Sequence, residues 1–212
     1  MNIAHIILNL EAGGAQTFMV NLAIQQKTTG NSVSIIIVDK FTNSSFENSL
    51  KIQLRKNDIE FYTLNRKLGK NLSLFRSYLI LHRLFKKLKP EIVNSHLSLT
   101  HLVLALILRV SPYKNKPKHI ITLHNAPEDW SRINLKINSK TSSIYCSEAA
   151  LTTCEVRNCP KIVIPNGINR PVVDSNDKHI LKDFEIKKEY ALRQYIPQIC
   201  RGVVTVAIII LN

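Results

Sequence analysis

Short apolar runs alternate with amphipathic stretches along residues 1–170, and the alternation predicts strands and helices in turn. Residues 3–8 are an apolar run that reads as a buried strand. Residues 15–27 repeat apolar positions at helical spacing, with Phe18, Leu22 and Met19 turned inward. Gly30 is placed to stop that helix, and the β-branched residues 33–38 form a second strand. Residues 46–56 then read as a helix, 59–64 as a short third strand, and 73–89 as a long basic amphipathic helix ended by Pro90. A strand over 91–95 delivers His96 at its carboxyl end, and one over 119–123 delivers His124 in the same way; between them lies an apolar helix over 97–110. Residues 125–140 are polar around the lone Trp130 and read as a loop with a short helix. A strand over 143–146 leads to Ser147, which caps a helix beginning at Glu148, and a last strand covers 161–164. Strands and helices in strict alternation predict an α/β class, a Rossmann-like doubly wound, mostly parallel sheet.

In such a sheet ligands gather outside the carboxyl ends of the strands. The turn after the first strand carries Gly13-Gly14 at the start of a helix. Its free N–H groups favour negative charge by roughly 0.3–1 kcal/mol, so phosphate or a sugar hydroxyl fits there. Neither a third glycine at G-x-G-x-x-G spacing nor a Lys followed by Ser or Thr accompanies the pair, which excludes the dinucleotide fingerprint and the P-loop. His96 and His124 stand at the same edge, each able to exchange a hydrogen bond with a sugar or phosphate oxygen. Asp39, ending the second strand, is expected to be a solvated strand end rather than a ribose ligand.

Composition narrows the setting. A net charge of +14 over 212 residues attracts anions, whether nucleotide phosphates, an acidic glycan, an anionic membrane face or nucleic acid. No recognition helix, zinc pattern or aromatic-basic motif accompanies the charge, so nucleic acid is not expected as a partner. Cys146, Cys154, Cys159 and Cys200 form no C-x-x-C pair and have no His at zinc spacing, which points to free thiols and no metal. The amino terminus enters a strand directly, without a signal-peptide pattern, and the apolar stretch 97–110, at about 14 residues, falls short of the roughly 20 that span a bilayer. A cytoplasmic protein is expected, with the basic helix over 73–89 as a peripheral contact to an anionic membrane surface.

Five motifs in order, Gly13-Gly14-Ala15-Gln16, Lys89-Pro90-Glu91-Ile92-Val93-Asn94-Ser95-His96, Thr122-Leu123-His124-Asn125, Tyr145-Cys146-Ser147-Glu148 and Ile164-Pro165-Asn166-Gly167-Ile168, resemble the amino-terminal half of retaining GT-B glycosyltransferases of family 4. The resemblance implies two Rossmann-like domains facing a cleft, the first holding an acceptor and the second a nucleotide-sugar donor, with no required metal and no cofactor beyond that donor. It places His124 beside the transferred sugar as the catalytic residue. It assigns Gly13, Gly14, Ala15, Gln16, His96, Asn125, Ser147, Glu148 and Asn166 to the acceptor or phosphate side. The family often has Asp after the histidine, whereas Asn125 stands here and removes one carboxylate.

The domain expectation is an amino-terminal Rossmann-like domain over 1–168, a linker over 169–180, and over 181–212 a helix and first strand of a donor-binding domain. The last acidic side chain is Glu189, so the donor domain's paired glutamates have no counterpart after it. The apolar run 203–211 would be an uncovered strand, each exposed Val, Ile or Leu forgoing about 1.5–3 kcal/mol. A truncated glycosyltransferase of polysaccharide or lipopolysaccharide biosynthesis is therefore expected, inactive alone. The competing expectation is a non-catalytic acceptor-binding subunit that pairs with a second polypeptide supplying the donor domain.

Overall fold

A computed structural model describes residues 1–67, 73–110, 116–124, 141–153 and 159–165. The chain divides into two units, Met1–Val163 and Ile164–Asn212. Of the second, only Ile164 and Pro165 are among the described residues, so the expected linker over 169–180, the expected remnant over 181–212 and the strand over 203–211 lie outside them, as does the polar segment 125–140.

In the first unit the elements run β1 (Asn2–Ile7), α1 (Gly14–Thr28), β2 (Ser32–Asp39), α2 (Ser45–Lys56), β3 (Glu60–Arg66), α3 (Leu74–Leu88), β4 (Ile92–His96), α4 (Ser98–Val110), β5 (Lys118–Leu123), β6 (Thr141–Tyr145), α5 (Glu148–Thr153) and β7 (Lys161–Val163). The strands form one sheet in the order β3-β2-β1-β4-β5-β6-β7, every neighbouring pair parallel. The order reverses direction between β1 and β4, which makes their carboxyl ends the switch point.

Central strands of a parallel sheet are covered on both faces and so read as near-continuous apolar runs. β2 does so, with every position after Ser32 buried. Register sorts the residues by face. Ile7, Val33, Ile35 and Ile37 pack under Met19, Val20 and Ala23 of α1 and Leu50 and Leu54 of α2. Ala4, Ile6, Ile36, Val38 and Val93 pack under Leu81 and Phe85 of α3 and Leu104 and Leu108 of α4. A third cluster joins Ala105 of α4 and Ala150 of α5 to Ile121, Leu123 and Tyr145.

Three sequence expectations need correction. The buried face of α1 is Gln16, Met19, Val20, Ala23 and Gln26, leaving Phe18 and Leu22 half-buried, because that face meets polar as well as apolar strand residues. Asp39 is not a solvated strand end: it is 2% exposed and takes a bidentate bond from Arg66 at the end of neighbouring β3, whose Nη2 donates at 2.9 Å. β6 begins at Thr141, ahead of the expected 143, because Thr141 and Ser142 already pair in parallel register with His119 and Ile120 of β5. Gly30 does stop α1, at φ +88° with its N–H on the Lys27 carbonyl. No helix among the described residues is long and apolar enough to cross a membrane.

Candidate functional site

The loop between β1 and α1 opens the site. Gly13 is the N-cap of α1 and provides no side-chain cap, and no acidic residue occupies the first turn, so the N-terminal N–H groups of α1 are not spoken for by a neighbouring side chain. Gly13 has extended backbone, φ 178°, so its conformation does not demand glycine. A Cβ there would come 2.5 Å from Gln16 Oε1, so the end of the Gln16 side chain would have to swing aside, whereas one on Gly14 would meet nothing within 4 Å. Gln16 is buried with its amide turned back into the loop, donating to Asn9 Oδ1 at 3.1 Å, while the same oxygen receives the Glu11 N–H at 3.3 Å. Of the expected glycine-loop residues, then, Gly14 is the open one, Ala15 is half-buried and Gln16 braces the loop from inside.

His124 follows β5 directly. Phe18 of α1 stands edge-on to its ring, centroids 5.2 Å apart, and the Cys146 thiol donates to its carbonyl at 3.1 Å. His124 Nε2 lies 2.9 Å from His96 Nδ1, His96 Nε2 lies 3.0 Å from His5 Nδ1, and His5 Nε2 lies 2.7 Å from Gln26 Oε1. Parallel register explains the line: His5 pairs with Asn94 and His96 with Thr122, which puts His5, Asn94, His96 and Thr122 on the face that α1 covers with Gln26. Asn94 and Thr122 satisfy each other, Thr122 Oγ1 donating at 2.7 Å to Asn94 Oδ1. His96 is thus wholly buried behind His124. The turn that follows it holds Leu97 at φ +73°, pinned by Thr100 Oγ1 on the Leu97 carbonyl at 2.7 Å and on the His96 carbonyl. A bulky side chain in that region costs about 1–2 kcal/mol, and such strain clusters at ligand-binding edges.

Burial sets the charges. It pushes His5 and His124 down to about 4 and His96 well below its ordinary value, the neighbouring histidines adding to the effect on His96. All three rings are neutral near pH 7. His124 Nδ1 is buried and has no hydrogen-bond partner among the described residues. On the opposite face, Ser95 Oγ bridges His101 Nδ1 at 2.7 Å and His119 Nε2 at 2.8 Å beneath α4.

Ser147 and Glu148 sit on the same edge, next to Cys146. Ser147 Oγ accepts the Ala150 N–H at 3.1 Å, capping α5 as its position suggested, and Glu148 is exposed in the first turn. Asn125 and Asn166 lie outside the described residues. Sequence reasoning missed His5 and Gln26. The signal was there: a polar residue inside an apolar strand must find a buried partner. Among the described residues, no group of three or more His, Cys, Asp and Glu side chains is placed to hold a metal ion.

Solved structures with a similar fold include a glycosyltransferase from Rickettsia africae ESF-5 (TM-score 0.61, 14% identity, covering 87% of this chain and 50% of that one). Anabaena Alr3699/HepE in complex with UDP matches with a TM-score of 0.60 at 14% identity over the same shares, and Acinetobacter baumannii MurG with 0.52 at 16% identity over 80% of this chain and 47% of its own. The chain therefore spans about half the length of each, and at these identities the likeness speaks to the fold, the Rossmann-like half of a GT-B enzyme. No curated protein matches by sequence. The family model for Glycosyltransferase Family 4 matches residues 12–170, a range that takes in the Gly13-Gly14 loop, His96 and His124, and the chain belongs to that family.

Proposed function

We propose that residues 1–163 are the acceptor-side half of a retaining glycosyltransferase that moves a sugar from a nucleotide-sugar donor to a glycan or lipid-linked acceptor. One observation carries this reading: at the carboxyl edge of the sheet, after β5, a neutral histidine whose Nδ1 has no partner among the described residues stands beside the first turns of a helix whose N-cap residue provides no side-chain cap. His124 meets the sugar, while Gly14 and the first turn of α1 meet phosphate or a polar acceptor group. Departure of a nucleoside diphosphate needs its charge met by cations and helix N-termini, with no metal required. Completing that chemistry takes a donor-binding domain as well; UDP is bound in the HepE structures.

Lipopolysaccharide or polysaccharide synthesis fits as the setting, since one structural neighbour is the lipopolysaccharide outer core galactosyltransferase WaaB. Phe75, 74% exposed, and Leu79, 40% exposed, lie on the solvent face of α3 with Arg76, Arg83 and Lys86, which favours an anionic membrane surface at the cytoplasmic side as the place of work. The test is an assay of the purified chain with a panel of nucleotide sugars and lipid-linked acceptors. Transfer is expected to be absent with the chain alone and to appear only when a donor-binding domain is added as a second polypeptide. Robust turnover by the homogeneous chain would overturn the need for that partner, and transfer unaffected by His124→Ala would overturn the site.

A further inference from the structure

The line Gln26, His5, His96, His124 has a direction. Gln26 turns its amide oxygen, an acceptor, toward His5 Nε2, and with the amide in that orientation His5 carries its proton on Nε2 and offers a lone pair at Nδ1. His96 must then donate from Nε2 to His5 and accept at Nδ1, and His124 must donate from Nε2 to His96. That leaves a lone pair, and no proton, on His124 Nδ1. The far end agrees independently. Nδ1 of His124 is buried without a hydrogen-bond partner among the described residues, and an orphaned buried N–H is rarer and more costly than an orphaned acceptor. The two ends of the line select the same polarity.

We propose that Gln26 and His5, acting through His96, are positioning residues that hold His124 as its Nε2–H tautomer, so that Nδ1 accepts a hydrogen bond from a ligand hydroxyl and is unsuited to an unprotonated phosphate oxygen. The inference rests on the proposed sugar-binding role of His124 and sharpens it. A sugar hydroxyl therefore belongs at His124. Phe18, packed edge-on against the His124 ring, keeps the imidazole in the plane that the line requires.

The 212-residue chain, labelled with ¹⁵N in its histidine rings, tests this by two-bond ¹H–¹⁵N correlation, which reports which ring nitrogen carries the proton. Wild type is expected to show His5, His96 and His124 each as a single Nε2–H form. Gln26→Leu removes the acceptor and is expected to turn the line over or mix it, raising the Nδ1–H form of His124 at least tenfold, whereas Gln26→Glu, acceptor-only once ionised, restores the wild-type pattern at a pH where its carboxylate is charged. An Nδ1–H signal on His124 in wild type overturns the proposal even if neither variant folds, as does an unchanged tautomer in a folded Gln26→Leu. Methyl hexopyranosides are then added to wild type. A correct tautomer pattern with His124 Nδ1 shifting on addition supports both the line and its ligand; a correct pattern with no glycoside bound keeps the line and contradicts the sugar reading.

Discussion

Asp39 illustrates how a single side chain is decided by its neighbour in space rather than in sequence. At the end of β2 it is buried, and the Arg66 guanidinium at the end of β3 makes its charge tolerable; the same contact raises the Arg66 pKa. Breaking a buried pair from one side leaves an uncompensated charge, so Arg66→Ala is expected to destabilise the fold by about 3–5 kcal/mol, seen as a lower urea midpoint. A loss under about 1 kcal/mol would show that water reaches the carboxylate. The sequence showed Asp39 at a strand end, but its partner lies 27 residues on, and strand order was needed to bring the two together. His124 was legible because it follows an apolar run at the edge where ligands bind. His5 and Gln26 were not, since one is hidden in a strand and the other in a helix whose buried face mixes polar and apolar positions.

Elements were more legible than contacts. Apolar runs and helical spacing located the strands and helices to within a residue or two at most ends, because central parallel strands are covered on both faces and leave little room for polar residues. α2 shows how local chemistry fixes a start: Ser44 accepts the Glu47 N–H, and the Glu47 carboxylate receives the Thr42 N–H at 2.8 Å. Ser44→Ala is expected to cost about 1 kcal/mol in thermal or urea unfolding, and no change would mean that Glu47 and Lys51 hold the turn unaided. α3 is where a face remains to be explained. Its exposed Phe75 and Leu79 among basic residues predict that the chain co-sediments with vesicles rich in anionic lipid, more weakly as salt is raised. Phe75→Ser with Leu79→Ser should cut that binding severalfold without altering the unfolding midpoint, and equal binding by the double variant would remove α3 from the contact.

At the level of the whole molecule, polar residues run through both faces of the sheet near β4, and their neutrality makes the fold sensitive to acid. Burial holds His5 and His124 at about 4 and His119 at about 3, with His96 and His101 well below the ordinary value of 6.5. Because these folded values lie below the unfolded one, the unfolded chain binds the extra protons. Stability is complete above about pH 6.5 and is withdrawn as pH falls toward 4, at about 1.4 kcal/mol per pH unit for each proton taken up. The urea midpoint should therefore be flat from about pH 8 to 7 and fall steeply below about 6; a flat profile down to pH 4 would mean that the rings are charged in the native state. The same polar seam reaches the ligand edge through His96 and His124, so the fold and the site are built from one set of residues. The most direct measurement of that site is a two-dimensional NMR titration of the whole chain with methyl glycosides and short lipid-linked glycan fragments, in wild type and His124→Ala. Saturable shifts at Gly13, Gly14, Phe18 and His124, with binding at least about tenfold weaker in the variant, a loss of about 1.4 kcal/mol, are the predicted result. Shifts confined to the outer edge of β3 around Phe61 and Tyr62, or an affinity untouched by His124→Ala, would contradict it.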